Sequence, residues 1–162
     1  MEQNPNTTER LPLTLRCIGT GFFSGYSPVA PGTAGSLTAL LFLFIPKFSE
    51  TTVLLPAIFI FFFLGAYAAD KMEKIYGQDP GIVTIDEVVG MWISILFLPH
   101  TPLFLGTAFL IFRILDILKP YPAGEIDKKK GGWNIMLDDV IAGMYTNIIL
   151  QIAFHNLSFI NL

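Results

Sequence analysis

Two aspartates stand side by side in IMLDDVIAG, residues 135–143, just before an apolar stretch that runs to the last residue. A second acidic pair, Asp86 and Glu87, opens the apolar part of TIDEVVG, residues 84–90. A fifth acid, Asp116, lies in FRILDILKPYP, residues 112–122, with Arg113 three positions before it and Lys119 three positions after. Adjacent carboxylates held near apolar surroundings repel each other unless a cation joins them. Oxygen donors without a histidine or thiolate partner suit a hard ion such as Mg²⁺. Each cluster also has a plainer role. Asp86 and Glu87 suit the positive end of a helix that Thr84 caps. Arg113 and Asp116 can satisfy each other one turn apart. Asp138 or Asp139 can cap the last helix, which accounts for one acid but not for both.

A fourth polar stretch is PVAPGTAGSL, residues 28–37. Pro31 and Gly32 make a turn, and Thr33 or Ser36 can cap the helix that follows. A helix start presents free N–H groups and the positive end of a dipole, which suits a phosphate. Arg113, Asp116 and Lys119 step by about 60° around a helix and so share one face. The positions between them are apolar, and ionisable groups on such a helix are costly unless they face a polar cavity. Pro120 and Pro122 end that helix. Asp86, Glu87, Asp116, Asp138 and Asp139, with Arg113 and Lys119, describe a centre for metal-assisted phosphate chemistry on a molecule lying in the membrane.

Several other chemistries are excluded or disfavoured. Cys17 is the single cysteine, and Phe23 stands six residues later where a cysteine-based phosphatase needs arginine. No DxDx[TV] nucleophile motif and no Walker A loop occurs. His100 and His155 fall away from the acids, which disfavours a histidine nucleophile. The formal net charge of −3 provides no general field for nucleic acid.

The elements that must position these residues are apolar. Hydrophobic residues make up 52% of the 162 and charged residues only 14%, against about 25% charged in a typical soluble domain. The mean hydropathy is +0.59. Five apolar blocks emerge: 35–46, 52–69, 88–99, 102–118 and 140–162. A full span needs roughly 20 apolar residues. The second and fifth qualify, whereas the first and third require tilting or burial partway into one leaflet. The chain is therefore expected to be all-α, a compact multi-helix membrane bundle of about five apolar helices with re-entrant or short helical segments. A closed barrel is disfavoured because IFIFFFL, residues 58–64, has no alternating polarity.

Arg10 and Arg16, then Lys71 and Lys74, then Lys119 and Lys128–Lys130 mark alternate connections as positive. These lie in the cytoplasm by the positive-inside rule, with the N-terminus inside and all four polar clusters on that face. Residues 1–16 read as a polar tail without the apolar core of a cleavable signal peptide. Without an internal repeat, 1–162 reads as one domain. Gly143 lets another backbone come close. The rival readings are a soluble all-helical domain, a membrane phosphotransferase of headgroup synthesis, a small transporter lined by its acids, and a non-catalytic lipid-binding scaffold. The phosphotransferase lacks its expected D-x2-D-G-x2-A-R pattern. The transporter predicts polar residues spread through the bilayer, and here only Thr146, Asn147 and Gln151 lie deeper.

Four motifs in order, Pro-x-Ala-Pro-Gly-Thr-x-Gly-Ser (28–36), Asp-Glu-Val-Val-Gly (86–90), Phe-Arg-x-x-Asp-x-x-Lys-Pro-x-Pro (112–122) and Met-Leu-Asp-Asp-x-x-Ala-Gly (136–143), resemble the phosphatidylglycerophosphatase A family. The resemblance covers residues from about 19 to 150. It implies Mg²⁺-dependent hydrolysis of the terminal phosphomonoester of phosphatidylglycerophosphate, a phospholipid in the bilayer. The products would be phosphatidylglycerol and inorganic phosphate, formed at the cytoplasmic face of the bacterial inner membrane. By the same resemblance Asp86, Glu87, Asp116 and Asp139 are the metal set. Asp138, Asp139, Arg113 and Lys119 are catalytic, and Gly32, Thr33 and Ser36 belong to the phosphate cradle. The oligomeric state is left open.

Overall fold

The computed structural model describes residues 11–160, with side chains placed through residue 156. The first ten residues of the expected polar tail, including the Arg10 used for orientation, lie outside the described residues. Among the described residues seven α-helices follow one another: α1 (Leu13–Gly19), α2 (Pro31–Leu41), α3 (Thr51–Tyr76), α4 (Ile85–Ile95), α5 (Pro102–Leu118), α6 (Ala123–Asp127) and α7 (Gly132–Ile160). Among the described residues there are no strands. The end of the expected tail is helical, because α1 begins at Leu13.

Length sorts these helices. α3 and the Gly132–Asn156 part of α7 are long and apolar enough to cross a bilayer, with mean hydropathies of 2.2 and 1.3. At 1.5 Å per residue, α3 is about 39 Å long. α2 and α4 have 11 residues each, or about 16 Å, roughly half a hydrocarbon core. Two helices among the described residues therefore pass as spans, where the apolar blocks suggested five. The two short blocks form the expected short segments. α3 carries Phe59, Ile60 and Phe63 on its outside at 58%, 55% and 55% exposure. A helix apolar on its outer face as well as its inner one suits contact with lipid.

α4 lies at the centre, against α2, α3, α5 and α7. Ile85, Val88, Val89, Met91 and Trp92 are wholly buried along it. Phe42, Phe48 and Phe61 close around the Trp92 ring at 5.1–5.6 Å between centroids, and its indole N–H donates to the Ala39 carbonyl at 3.0 Å. Because α4 stops inside the bundle, its last carbonyls need donors that neither lipid nor the helix itself can supply. Asn147 and Gln151 of α7 supply them. Asn147 Nδ2 donates to Leu96 and Ile93 carbonyls at 2.7 and 3.1 Å, and Gln151 Nε2 to Leu96 at 3.4 Å. Thr146 bonds back to the Ala142 carbonyl of its own helix. The deeper polar residues are thus structural, which removes the main support for a transport path.

Lipid tails are as apolar as leucine, so helices in a bilayer associate through close packing. Small residues permit it here. A β-carbon on Gly143 would strike the Gly90 carbonyl oxygen, and one on Gly132 would strike that of Ala66. Between α1 and α2 the backbone turns through three left-handed residues, Gly21, Phe22 and Phe23. The turn pins Thr84: its N–H donates to the Gly19 carbonyl at 3.0 Å, and its hydroxyl meets Ser24 Oγ at 2.9 Å. Thr84 holds the N-cap position with no side-chain cap bond, and the start of α4 is held at that site.

Candidate active site

The first turn of α4 carries Asp86 and Glu87, as expected. The second acidic pair arrives differently. α7 begins at Gly132, so Asp138 and Asp139 sit two turns inside it and cap nothing. The Gly90–Gly143 contact lays α7 along α4, one helical turn beyond the acids on each. In consequence one carboxylate oxygen each from Asp86, Glu87 and Asp139 lies within 4.8 Å of the other two. Asp86 is 9% exposed and Asp139 2%. Asp86 Oδ1, Glu87 Oε2 and Asp139 Oδ2 are buried and accept no hydrogen bond. Three carboxylates this close, each with a buried and orphaned oxygen, are a donor set that fits a hard divalent cation.

Asp116 lies beside Asp139, within hydrogen-bond reach. Its firmest partner is Arg113 one turn earlier, whose Nη1 is 2.6 Å from Asp116 Oδ2 and 3.9 Å from Glu87 Oε1. Asp116 therefore borders the three-acid cluster, and its charge is shared with a guanidinium. Arg113 Nε is buried and donates to nothing. The first turn of α2 faces this guanidinium. A β-carbon on Gly32 would run into Glu87 Oε1 and lie 3.1 Å from both terminal nitrogens of Arg113. Helix geometry leaves the N–H groups of Gly32 and Thr33 without intrahelical acceptors, at the positive end of the dipole. Neither Thr33 nor Ser36 caps α2, whose N-cap is Ala30 in a left-handed conformation. Ser36 is fully buried and donates to the Gly32 carbonyl at 3.0 Å. It braces the turn from beneath and does not line it.

Lys119 departs from its expected place. α5 ends at Leu118, and Lys119 is the C-cap with φ 45° and ψ 61°. That left-handed residue breaks the Arg113–Asp116–Lys119 face and swings the ammonium away from Arg113. It donates to Asp138 Oδ2 at 2.6 Å and to Asp127 Oδ1 of α6. Burial pulls this ammonium down, but the hydrogen bonds and negative charges of Asp127 and Asp138 outweigh that and hold it above the usual lysine value. The other Asp138 oxygen, Oδ1, is buried without a partner. Sequence reasoning missed Asp127. It lies in GEIDKKKGG, which reads as a solvated charged connection and offers no periodicity that would link it to Lys119.

Fold and centre together define a class: an all-helical protein with two helices long and apolar enough to cross a bilayer and a carboxylate cluster beside an arginine. The profile of the family described as Phosphatidylglycerophosphatase A matches residues 17–154, and the chain belongs to that family. A Bacteroides thetaiotaomicron protein named "Putative phosphatidylinositol-3-phosphatase" is 41% identical over 84% of this chain and 91% of its own length. Two proteins named "Phosphatidylglycerophosphatase A" are also similar. The one from Escherichia coli is 36% identical over 86% of this chain and 83% of its own length. The one from Haemophilus influenzae is 34% identical over 92% and 94%. No solved structure gave a significant match.

Proposed function

We propose that the protein is a Mg²⁺-dependent lipid phosphatase that converts phosphatidylglycerophosphate and water to phosphatidylglycerol and inorganic phosphate. It would work as a multi-pass protein at the cytoplasmic face of a bacterial inner membrane. The observation that carries this reading is the meeting of three carboxylates from two helices, each with an orphaned oxygen, with Arg113 and the first turn of α2. A cluster of acids alone would suit a cation. Acids beside an unsatisfied guanidinium and free backbone N–H groups suit a cation and a phosphoryl group together.

Asp86, Glu87 and Asp139 would hold the ion, with Asp116 at its border. The bound ion would supply charge neutralisation and a more acidic water. Arg113 and the N–H groups of Gly32 and Thr33 orient the phosphoryl oxygens and stabilise the charge that grows on them. Thr33 adds a hydroxyl at the same turn, and Ser36 positions it through the Gly32 carbonyl. Asp138, with its free Oδ1, accepts the proton of the attacking water, and Asp139 beside it is the alternative base. The water oxygen bonds to phosphorus, the ester P–O bond breaks, and the glycerol oxygen leaves with a proton. Lys119 contributes positive charge through Asp138. The acyl chains stay in the bilayer, so the ester reaches the centre at headgroup depth.

The name of the Bacteroides relative favours one second reading, in which the phosphate is removed from an inositol ring. Purified protein in detergent, given phosphatidylglycerophosphate, phosphatidylinositol 3-phosphate and a soluble phosphomonoester with and without Mg²⁺, separates the cases. Phosphate release from the glycerol lipid, dependent on Mg²⁺, is expected. Release from the inositol lipid alone would replace the substrate, and release from none would defeat the hydrolase reading.

A further inference from the structure

α6 is a five-residue helix that packs against α7 and buries only Ala123. Close contacts nevertheless constrain its placement. A β-carbon on Gly124 would be 2.7 Å from the Lys119 carbonyl oxygen, and the Tyr145 hydroxyl of α7 donates to the Tyr121 carbonyl at 3.0 Å. This tight approach brings Asp127, at the end of α6, to the ammonium of Lys119. The same ammonium reaches Asp138 Oδ2. Lys119, at 27% exposure, is thus suspended between a carboxylate at the surface and one at the centre.

A lysine side chain has four rotatable bonds and three donors, and a single carboxylate does not fix its direction. Two carboxylates from different elements do. A carboxyl group also turns easily about its last torsion, so an ammonium on one Asp138 oxygen determines where the other points. We infer that Asp127 is a positioning residue: by holding the Lys119 ammonium against Asp138 Oδ2, it holds Asp138 Oδ1 in its buried, unpartnered position. The consequence for turnover rests on the phosphatase reading above; the contact itself does not.

The test uses Asp127→Asn and Asp127→Glu in the full chain in detergent. Asp127 is 32% exposed, so both variants are expected to fold, which thermal unfolding checks. With phosphatidylglycerophosphate, Asp127→Asn is expected to lower kcat roughly tenfold, as loss of a residue that orients a functional group does, while KM stays near the wild-type value. Asp127→Glu is expected to restore most of that loss. Independently of substrate, an amine-acylating reagent followed by residue-resolved mass spectrometry should label Lys119 several-fold faster in Asp127→Asn, with Lys71 and Lys74 unchanged. Wild-type kcat, or wild-type labelling of Lys119, in Asp127→Asn overturns the inference. If the wild-type protein hydrolyses no lipid phosphate, the functional reading fails, and the labelling comparison still decides whether Asp127 holds Lys119.

Discussion

The α-carbon of Gly143 on α7 lies against the carbonyl oxygen of Gly90 on α4, with no room for a methyl group between them. One turn before Gly143 is Asp139, and one turn before Gly90 are Asp86 and Glu87. The separation of the helices at this crossing therefore sets the distance between the acids. Gly90 is itself confined, since a β-carbon there would come 2.7 Å from the Phe112 ring and 2.8 Å from the Asp139 carbonyl.

Gly143→Ala should consequently act at a distance. Backbone cannot give way as a side-chain tip can, so α4 and α7 must part. We expect a stability loss of about 1–3 kcal/mol, the usual range for overpacking, together with a large fall in phosphate release. Thermal unfolding in detergent and the lipid assay check both. A variant with normal activity would show that the crossing does not govern the acids.

Asp139→Asn removes one charge from the three-acid cluster and leaves its shape. Titration with Mn²⁺, followed by the paramagnetic signal of the free ion, should show a bound ion in the wild type and at least tenfold weaker binding in the variant, in line with the loss of one ligand of a hard cation. Phosphate release should fall with it, and a chelator should abolish wild-type release until Mg²⁺ is returned. Release that is unaffected by either treatment would remove the metal from the proposal.

Arg113→Lys keeps the charge and loses the fork. Lysine is a point charge without the planar pair of donors that matches a phosphate, and Arg113 must also hold Asp116 at 2.6 Å. Phosphate release should drop by about two orders of magnitude, the scale of losing one preorganised donor, and Lys should be little better than Ala. Gly32→Ala should weaken the same step, because its methyl would push Glu87 and Arg113 from the mouth of the cradle. Full activity in both variants would place the phosphate elsewhere.

Asn147→Leu tests whether the deep polar residues are structural. It strips donors from the Ile93, Ser94 and Leu96 carbonyls. Leaving buried carbonyls unpaired costs about 1–3 kcal/mol. A lowered unfolding temperature with residual hydrolysis is the expected result, and an unaltered unfolding temperature would contradict the capping role.

Much of the centre was legible in the amino-acid sequence for one reason: charge in apolar sequence is expensive, so its presence marks a use. That rule picked out Asp86, Glu87, Arg113, Asp116, Asp138 and Asp139, and the structure groups Asp86, Glu87 and Asp139 with Arg113 and Asp116 at their border, while Asp138 pairs with Lys119. The helical class followed from apolar runs without alternation, and the end of α5 from Pro120 and Pro122. Gly143 was legible as a close approach, though its partner Gly90 was not. Local rules failed where a chain reversal or a long contact decides. Periodicity put Lys119 on the face of Arg113, but one left-handed residue before Pro120 sent it to Asp138. Capping propensity suggested a helix start at Asp138 or Asp139, but Gly132 packs against Ala66 and starts α7 two turns earlier.

By itself, then, the sequence determined the inventory: an apolar helical chain, five acids and two cations too costly to be idle, and a helix start suited to phosphate. Tertiary structure alone decided the assignment of partners. It placed three carboxylates within reach of one ion, gave Arg113 to Asp116 and the first turn of α2, and gave Lys119 to Asp127 and Asp138. The physical reason is range. The cost of burying a charge is a property of one residue and its neighbours along the chain, whereas the partner that relieves it is chosen by how closely distant backbones can approach.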